Sequence, residues 1–170
     1  MNKLKFCFLL CLLILPLIFV ESIKPSALEL ELRKIPGRNV EVLFQNHWNI
    51  IITDENIGEE FGFDVPVSAI TDYNTKTIYV KDTRIEVALL HEIGHVIDYE
   101  SDRPSNSIEF QNIYDTEKYR FIDCTAVNDQ HEISNTREYF ASVYQNILIN
   151  YETTKNNIPK TVQFIEQYME

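Results

Sequence analysis

Glycine is scarce in this chain, with 4 residues in 170, and tryptophan occurs once. So few glycines exclude collagen-like and glycine-rich flexible architectures. Cysteine is sparse too: Cys7 and Cys11 lie in an N-terminal apolar stretch, which leaves Cys124 as the one thiol of the remaining chain and permits no internal disulfide there. With no motif around it, Cys124 reads as an ordinary packed or half-buried thiol. Positive charge is also short. The 15 Lys and Arg face 26 Asp and Glu for a net charge of −11, and no basic cluster occurs. That excludes a nucleic-acid partner, because phosphate binding draws on clustered cations. At 45% hydrophobic residues the chain is nevertheless too apolar to be disordered.

The long apolar run is confined to the start. Lys3 and Lys5 precede a stretch from Phe6 to Val20, broken by Pro16 and closed by Glu21 and Ser22. This is the layout of a secretory signal, and it is shorter than the roughly 20 residues of a comfortable membrane span. Residues 1–22 are therefore read as a signal peptide and 23–170 as one secreted domain without stable membrane insertion after cleavage; an uncleaved anchor is the alternative. Removing the signal takes two lysines and one glutamate and shifts the balance to −12. The remaining body of about 148 residues can bury roughly two-thirds of its unfolded surface, enough for a core without disulfides.

Leu28, Leu32 and Ile35 predict a short helix ended by Pro36-Gly37, and Val40 to Trp48 a second one, with a strand as the alternative. Asn49 to Thr53 reads as a buried β-branched strand, Gly58 to Pro66 as a loop, and Ile78 to Val80 as a second strand with Val67 to Ile70 as a hairpin partner. From about Thr83 to Tyr99, Val87, Leu90, His91, Gly94, His95 and Asp98 share one helical face. Further helices are predicted at Ser107 to Phe121, at Thr136 to Asn150 behind a Ser134-Asn135 cap, and at Pro159 to Tyr168. Strands early and helices late indicate an α+β fold.

His91-Glu92-Ile93-Gly94-His95 is an HExxH motif. Chance produces it in a chain this long roughly 0.5% of the time. Imidazoles four apart on a helix lie one turn above each other and can grip one ion, while Glu92 can reach an attacking water as general base. Gly94 leaves room for another element to approach. Asp98, on the same face, is a candidate outer carboxylate orienting a ligand histidine. A third ligand must come from elsewhere, and His131, Glu132 and Glu138 are the candidates. The residues after His95 do not continue into a third motif histidine. Glu138 is best placed, early in a helix that Tyr139, Phe140, Val143 and Tyr144 can pack against the first.

LLHEIGHVIDY at Leu89 to Tyr99, REYFA at Arg137 to Ala141, the separation of 47 residues between His91 and Glu138, and the tail Pro159-Lys160-Thr161-Val162-Gln163-Phe164-Ile165 together resemble the catalytic domain of the anthrax lethal factor and the related secreted Pro-Pro endopeptidases. The resemblance is specific from Leu89 onward and faint over residues 26–81. It implies a zincin-like fold of the gluzincin type, a small mixed sheet packed on a helical half with the HExxH helix at the centre. It also implies one Zn2+ per chain held by His91, His95 and Glu138, with Glu92 as the base. Two positions depart from the family pattern. His131 stands where the family has a tyrosine whose hydroxyl is thought to stabilise the oxyanion, a task an imidazole N–H can also perform. Ser142 stands where a second glutamate usually supports a zinc-binding histidine from outside.

The expectation is a secreted, monomeric zinc endopeptidase acting on proteins or peptides, Pro-rich ones by resemblance and basic ones by charge complementarity. The substrate would pair as an extended strand with Thr77 to Lys81. The alternative is a catalytically weak or silent module that binds a partner or a toxin component.

Overall fold

Ser26 opens the first helix with a reciprocal cap: its hydroxyl accepts from the Glu29 amide at 3.2 Å, and the Glu29 carboxylate accepts from the Ser26 amide at 2.9 Å. A computed structural model describes residues 25–122 and 130–170, so the proposed signal segment and Cys124 lie outside the described residues. Two helices, α1 (Ala27–Leu32) and α2 (Gly37–Gln45), lead into β1 (Asn49–Thr53). A one-turn helix α3 (Ile57–Glu60) falls at the edge of the segment expected to be loop. The strands β2 (Ala69–Asp72) and β3 (Thr77–Lys81) follow, and then the helices α4 (Ile85–Glu100), α5 (Ile108–Ile122), α6 (Thr136–Asn157) and α7 (Pro159–Glu166). The architecture is α+β, with the sheet in the first half of the chain and most of the helix in the second.

The sheet order is β1-β3-β2. β3 pairs in parallel with β1, Ile50 opposite Ile78, and antiparallel with β2, Ile70 opposite Tyr79. Two expectations are corrected by this topology. Thr77 to Lys81 cannot pair with an added strand, because β1 and β2 occupy both of its edges; the free edge beside α4 belongs to β2. Asn49 to Thr53 is a strand, but an outer one whose Ile51 and Ile52 are 42% and 38% exposed. Its β-branched residues suit any pleated surface, edge or centre, so composition did not distinguish burial from pairing. The buried strand is β3, whose Ile78 and Val80 are fully enclosed.

α4 runs through the centre, with Leu89, Leu90, Ile93 and Val96 completely buried. α6 crosses it where Gly94 faces Ala141: a Cβ on Gly94 would come 2.8 Å from the Ala141 Cα and 3.0 Å from its carbonyl oxygen. Two small residues thus bring the helix backbones together. α6 continues to Asn157 through a kink at Asn150 (φ −147, ψ 42), the position where the sequence pattern suggested its end. α5 and α7 complete the helical half around Phe110, Phe121, Tyr139, Phe140 and Phe164. Thr161 donates its hydroxyl to Glu117 at 2.8 Å and its amide to the same carboxylate at 2.9 Å, so a side chain of α5 caps α7. The Thr161 oxygen then accepts from the Tyr139 hydroxyl at 2.9 Å, tying α7 to the residue beside Glu138.

Candidate metal centre and cleft

The helical rise places His91 and His95 on one side of α4, and their rings meet edge to face at 4.7 Å. Glu138 is delivered by the first turn of α6, where the Asn135 side chain accepts from the amides of Arg137 and Glu138 at 3.0 and 3.1 Å. His91 Nε2 and His95 Nε2 lie 3.3 and 3.4 Å from the same oxygen, Glu138 Oε2. All three potential ligand atoms fall within 4.8 Å of one another. Burial disfavours charge on Glu138, but hydrogen bonds from His91 and His95 outweigh it and hold its carboxyl far below the usual carboxylate range. Burial likewise opposes a charge on His91, yet the Glu138, Glu92 and Glu132 carboxylates raise its pKa above the ordinary imidazole value. Two imidazoles and a carboxylate are a zinc donor set. Atoms about 2.0 to 2.1 Å from a tetrahedral ion are about 3.3 to 3.4 Å apart, so the two histidine-to-carboxylate spacings fit such an ion.

Around this set, Ser142 Oγ lies 3.2 Å from His91 Nδ1, the nitrogen turned away from Glu138. Ser142, one of the two positions where the sequence departs from the expected pattern, is thus within hydrogen-bond distance of the His91 ring. Asp98 does not orient a histidine: its two oxygens accept from the Ser105 amide at 2.9 Å and the Ser105 hydroxyl at 2.7 Å. His95 Nδ1 is buried with no hydrogen-bond partner among the described residues. Helical spacing put Asp98 on the right face, but the tight turn after Ser101 brings Ser105 back within its reach. His131 stands at the rim, 69% exposed, with Nδ1 3.7 Å from Glu138 Oε2. Glu132, the other third-ligand candidate, is not among the three residues whose ligand atoms converge.

A cleft of about 340 Å³ opens over these residues. Val67, Ala69, Ile70 and Thr71 bring the free edge of β2 along it, Phe63 adds apolar surface, and Tyr73 and Arg137 also line it. Glu92 is buried, and the Thr71 hydroxyl donates to its Oε2 at 2.6 Å. Thr71, Tyr73 and Arg137 carry no signal in the sequence read by itself, except that Arg137 precedes a candidate ligand.

Fold and donor set together define a zincin-like protein: a small mixed sheet, a central helix bearing two histidines, and a second helix presenting a carboxylate. The chain belongs to the anthrax toxin lethal factor family, since the family profile described as "Anthrax toxin lethal factor, N- and C-terminal domain" matches residues 66–168. The match begins upstream of the motif helix and takes in β2 and β3. Among solved structures, the Pro-Pro endopeptidase PPEP-2 from Paenibacillus alvei is similar, with a TM-score of 0.66 and 20% identity over 83% of this chain and 88% of that one. At that identity the likeness speaks to the fold. No curated protein sequence matches. No helix among the described residues is long and apolar enough to cross a membrane.

Proposed function

We propose that this protein is an exported zinc endopeptidase, with residues 1–22 as its signal and 23–170 as its catalytic domain. The observation that carries the proposal is the convergence of His91, His95 and Glu138 beside a buried Glu92 whose carboxylate is held by Thr71. His91, His95 and Glu138 would hold one zinc per chain. When bound, zinc supplies Lewis acidity, which acidifies water and polarises the scissile carbonyl. Glu92 accepts a proton from the attacking water and returns it to the leaving amine. With Oε2 engaged by Thr71, Oε1 is the oxygen that takes this proton. His131, at the rim beside Glu138, donates an N–H to the developing oxyanion. Ser142 fixes the His91 ring. The peptide lies extended against the open edge of β2, its backbone hydrogen-bonded to that strand. Family membership supports a peptide substrate, and the name of the similar endopeptidase suggests Pro-Pro sequences as first substrates to test.

The test joins metal analysis to a peptide-library digest of the protein purified without its signal. Wild type should contain close to one zinc and cleave a subset of the library. Glu138→Ala should lose the metal, and Glu92→Ala should keep it while losing cleavage. A wild type that carries zinc yet cleaves nothing would instead indicate a binding module. Absence of metal under non-chelating conditions would refute the site. Replacing His131 with Tyr should change the rate; an unchanged rate would remove His131 from the mechanism.

A further inference from the structure

Arg137 lines the cleft one residue ahead of Glu138. Its guanidinium is held from one side. Nη2 donates to the Tyr73 hydroxyl at 3.1 Å, and Cζ lies 5.5 Å from the centre of the Tyr73 ring. Tyr73 is itself braced, edge-on to Trp48 at 6.1 Å and tilted against Tyr99 at 4.8 Å. Although the chain has 26 acidic residues, no Asp or Glu among the described residues lies within ion-pair distance of Arg137. Its neighbour Glu138 turns Oε2 toward His91 and His95 instead. A guanidinium offers five N–H donors in a planar fork that matches a carboxylate, and Tyr73 takes one of them. Asp98 feels the Arg137 charge at longer range, but no carboxylate among the described residues takes the remaining N–H donors of the guanidinium.

We propose that Arg137, positioned by Tyr73, is a specificity-determining residue that binds a carboxylate of the peptide substrate, carried by an Asp or Glu close to the scissile bond. This rests on the endopeptidase reading. Thr71, which holds Glu92 at the end of β2, and Tyr73, which holds Arg137 in the turn just after it, both line the cleft. An extended peptide on that edge would bring its acidic residue to Arg137 about two positions from the bond being cut. This local preference opposes the long-range field of a chain with net charge −11, which attracts basic peptides. A peptide that is basic overall and carries one acidic residue at this position satisfies both.

Affinity separates the proposal from catalysis. Zinc-loaded Glu92→Ala protein would be titrated with fluorescent, C-terminally amidated peptides, taken from the sequences that wild type cleaves and carrying Glu, Gln or Lys at each position in turn. If wild type cleaves none, the same substitutions in a Pro-Pro peptide serve. Glu should bind about ten- to a hundredfold tighter than Gln or Lys at one position. Arg137→Gln should abolish that preference and Arg137→Glu should transfer it to Lys, with zinc content and Tm retained. Arg137→Lys should keep part of it. Tyr73→Phe should reduce it without reversing it. A merely structural role would weaken all peptides alike and would not reverse their order. A preference that appears only with a free C-terminus would place the recognised carboxylate at the chain end and overturn its assignment to an Asp or Glu side chain. No preference for Glu at any position, or one that survives Arg137→Gln, overturns the proposal. Failure of the endopeptidase reading shows separately, as wild type that binds these peptides without cutting any.

Discussion

Thr71 contributes one hydroxyl, and its 2.6 Å bond to Glu92 Oε2 decides which carboxylate oxygen faces the cleft. Val has nearly the same shape without the donor. A hydrogen bond to a charged group is worth about 1.5 to 3 kcal/mol, so Thr71→Val should lower kcat/KM by about tenfold or more while zinc content stays at one per chain. Steady-state kinetics beside metal analysis would show this, and equal losses of metal and activity would speak against it. Ser142 stands on the other side of the centre, 3.2 Å from His91 Nδ1. Because outer partners of ligand histidines typically carry 10- to 100-fold in affinity, Ser142→Ala should weaken zinc binding by about tenfold in competition with a chelator. Unchanged affinity would mean the hydroxyl does not orient the ring.

Between elements, the critical contact is the crossing of α4 and α6. Ala in place of Gly94 would gain about 1 kcal/mol of helix propensity, but its Cβ would sit 2.8 Å from a backbone carbon that cannot swing aside. Overpacking of this kind costs about 1 to 3 kcal/mol, so the clash should win. Gly94→Ala should lower the urea midpoint and weaken zinc binding as well, since the helix that moves carries Glu138. The Glu117 cap on α7 lies on the far side of Tyr139 and allows the two effects to be separated. Glu117→Gln should cost about 1 to 2 kcal/mol in the same urea experiment and leave zinc affinity unchanged. This cap also gives Pro159-Lys160-Thr161 of the C-terminal tail a physical reason: Pro159 starts the helix and Thr161 anchors it to both α5 and α6.

For the whole molecule, a zinc ion held by His91, His95 and Glu138 would join α4 to α6 and so couple metal binding to folding. Ligand at 100 times its Kd adds about 2.7 kcal/mol, so a chelator should lower Tm clearly. The pH dependence should change sign with the metal. Without zinc, neighbouring carboxylates raise the His91 pKa in the folded state. That stabilisation is full below the unfolded imidazole pKa of about 6.5 and disappears as pH rises through the higher folded value. With zinc, a proton competes with the metal for the same nitrogen, so stability falls as pH drops through that range. Between about pH 6 and 8, Tm should therefore decline with rising pH for metal-free protein and climb for the zinc form. Parallel slopes in calorimetry would contradict the assignment of His91 as a ligand.

His91, Glu92 and His95 were legible in the sequence because one helix carries all three and the 3.6-residue period alone sets their relation. The α+β order, the cap at Asn135 and the room left at Gly94 were legible for the same local reason. Glu138 lay within reach of sequence reasoning because aromatic residues beside it marked a packing helix and the family resemblance pointed to the same residue. Tertiary structure decided which strand is central and which is open, since β-branched composition suits either place. It also decided that Asp98 serves Ser105, that Thr71 holds Glu92 from 21 residues away, and that Arg137 meets Tyr73 across 64. Those partners are brought together only by burial of the α4 and β3 core, and no local pattern along the chain records such distances.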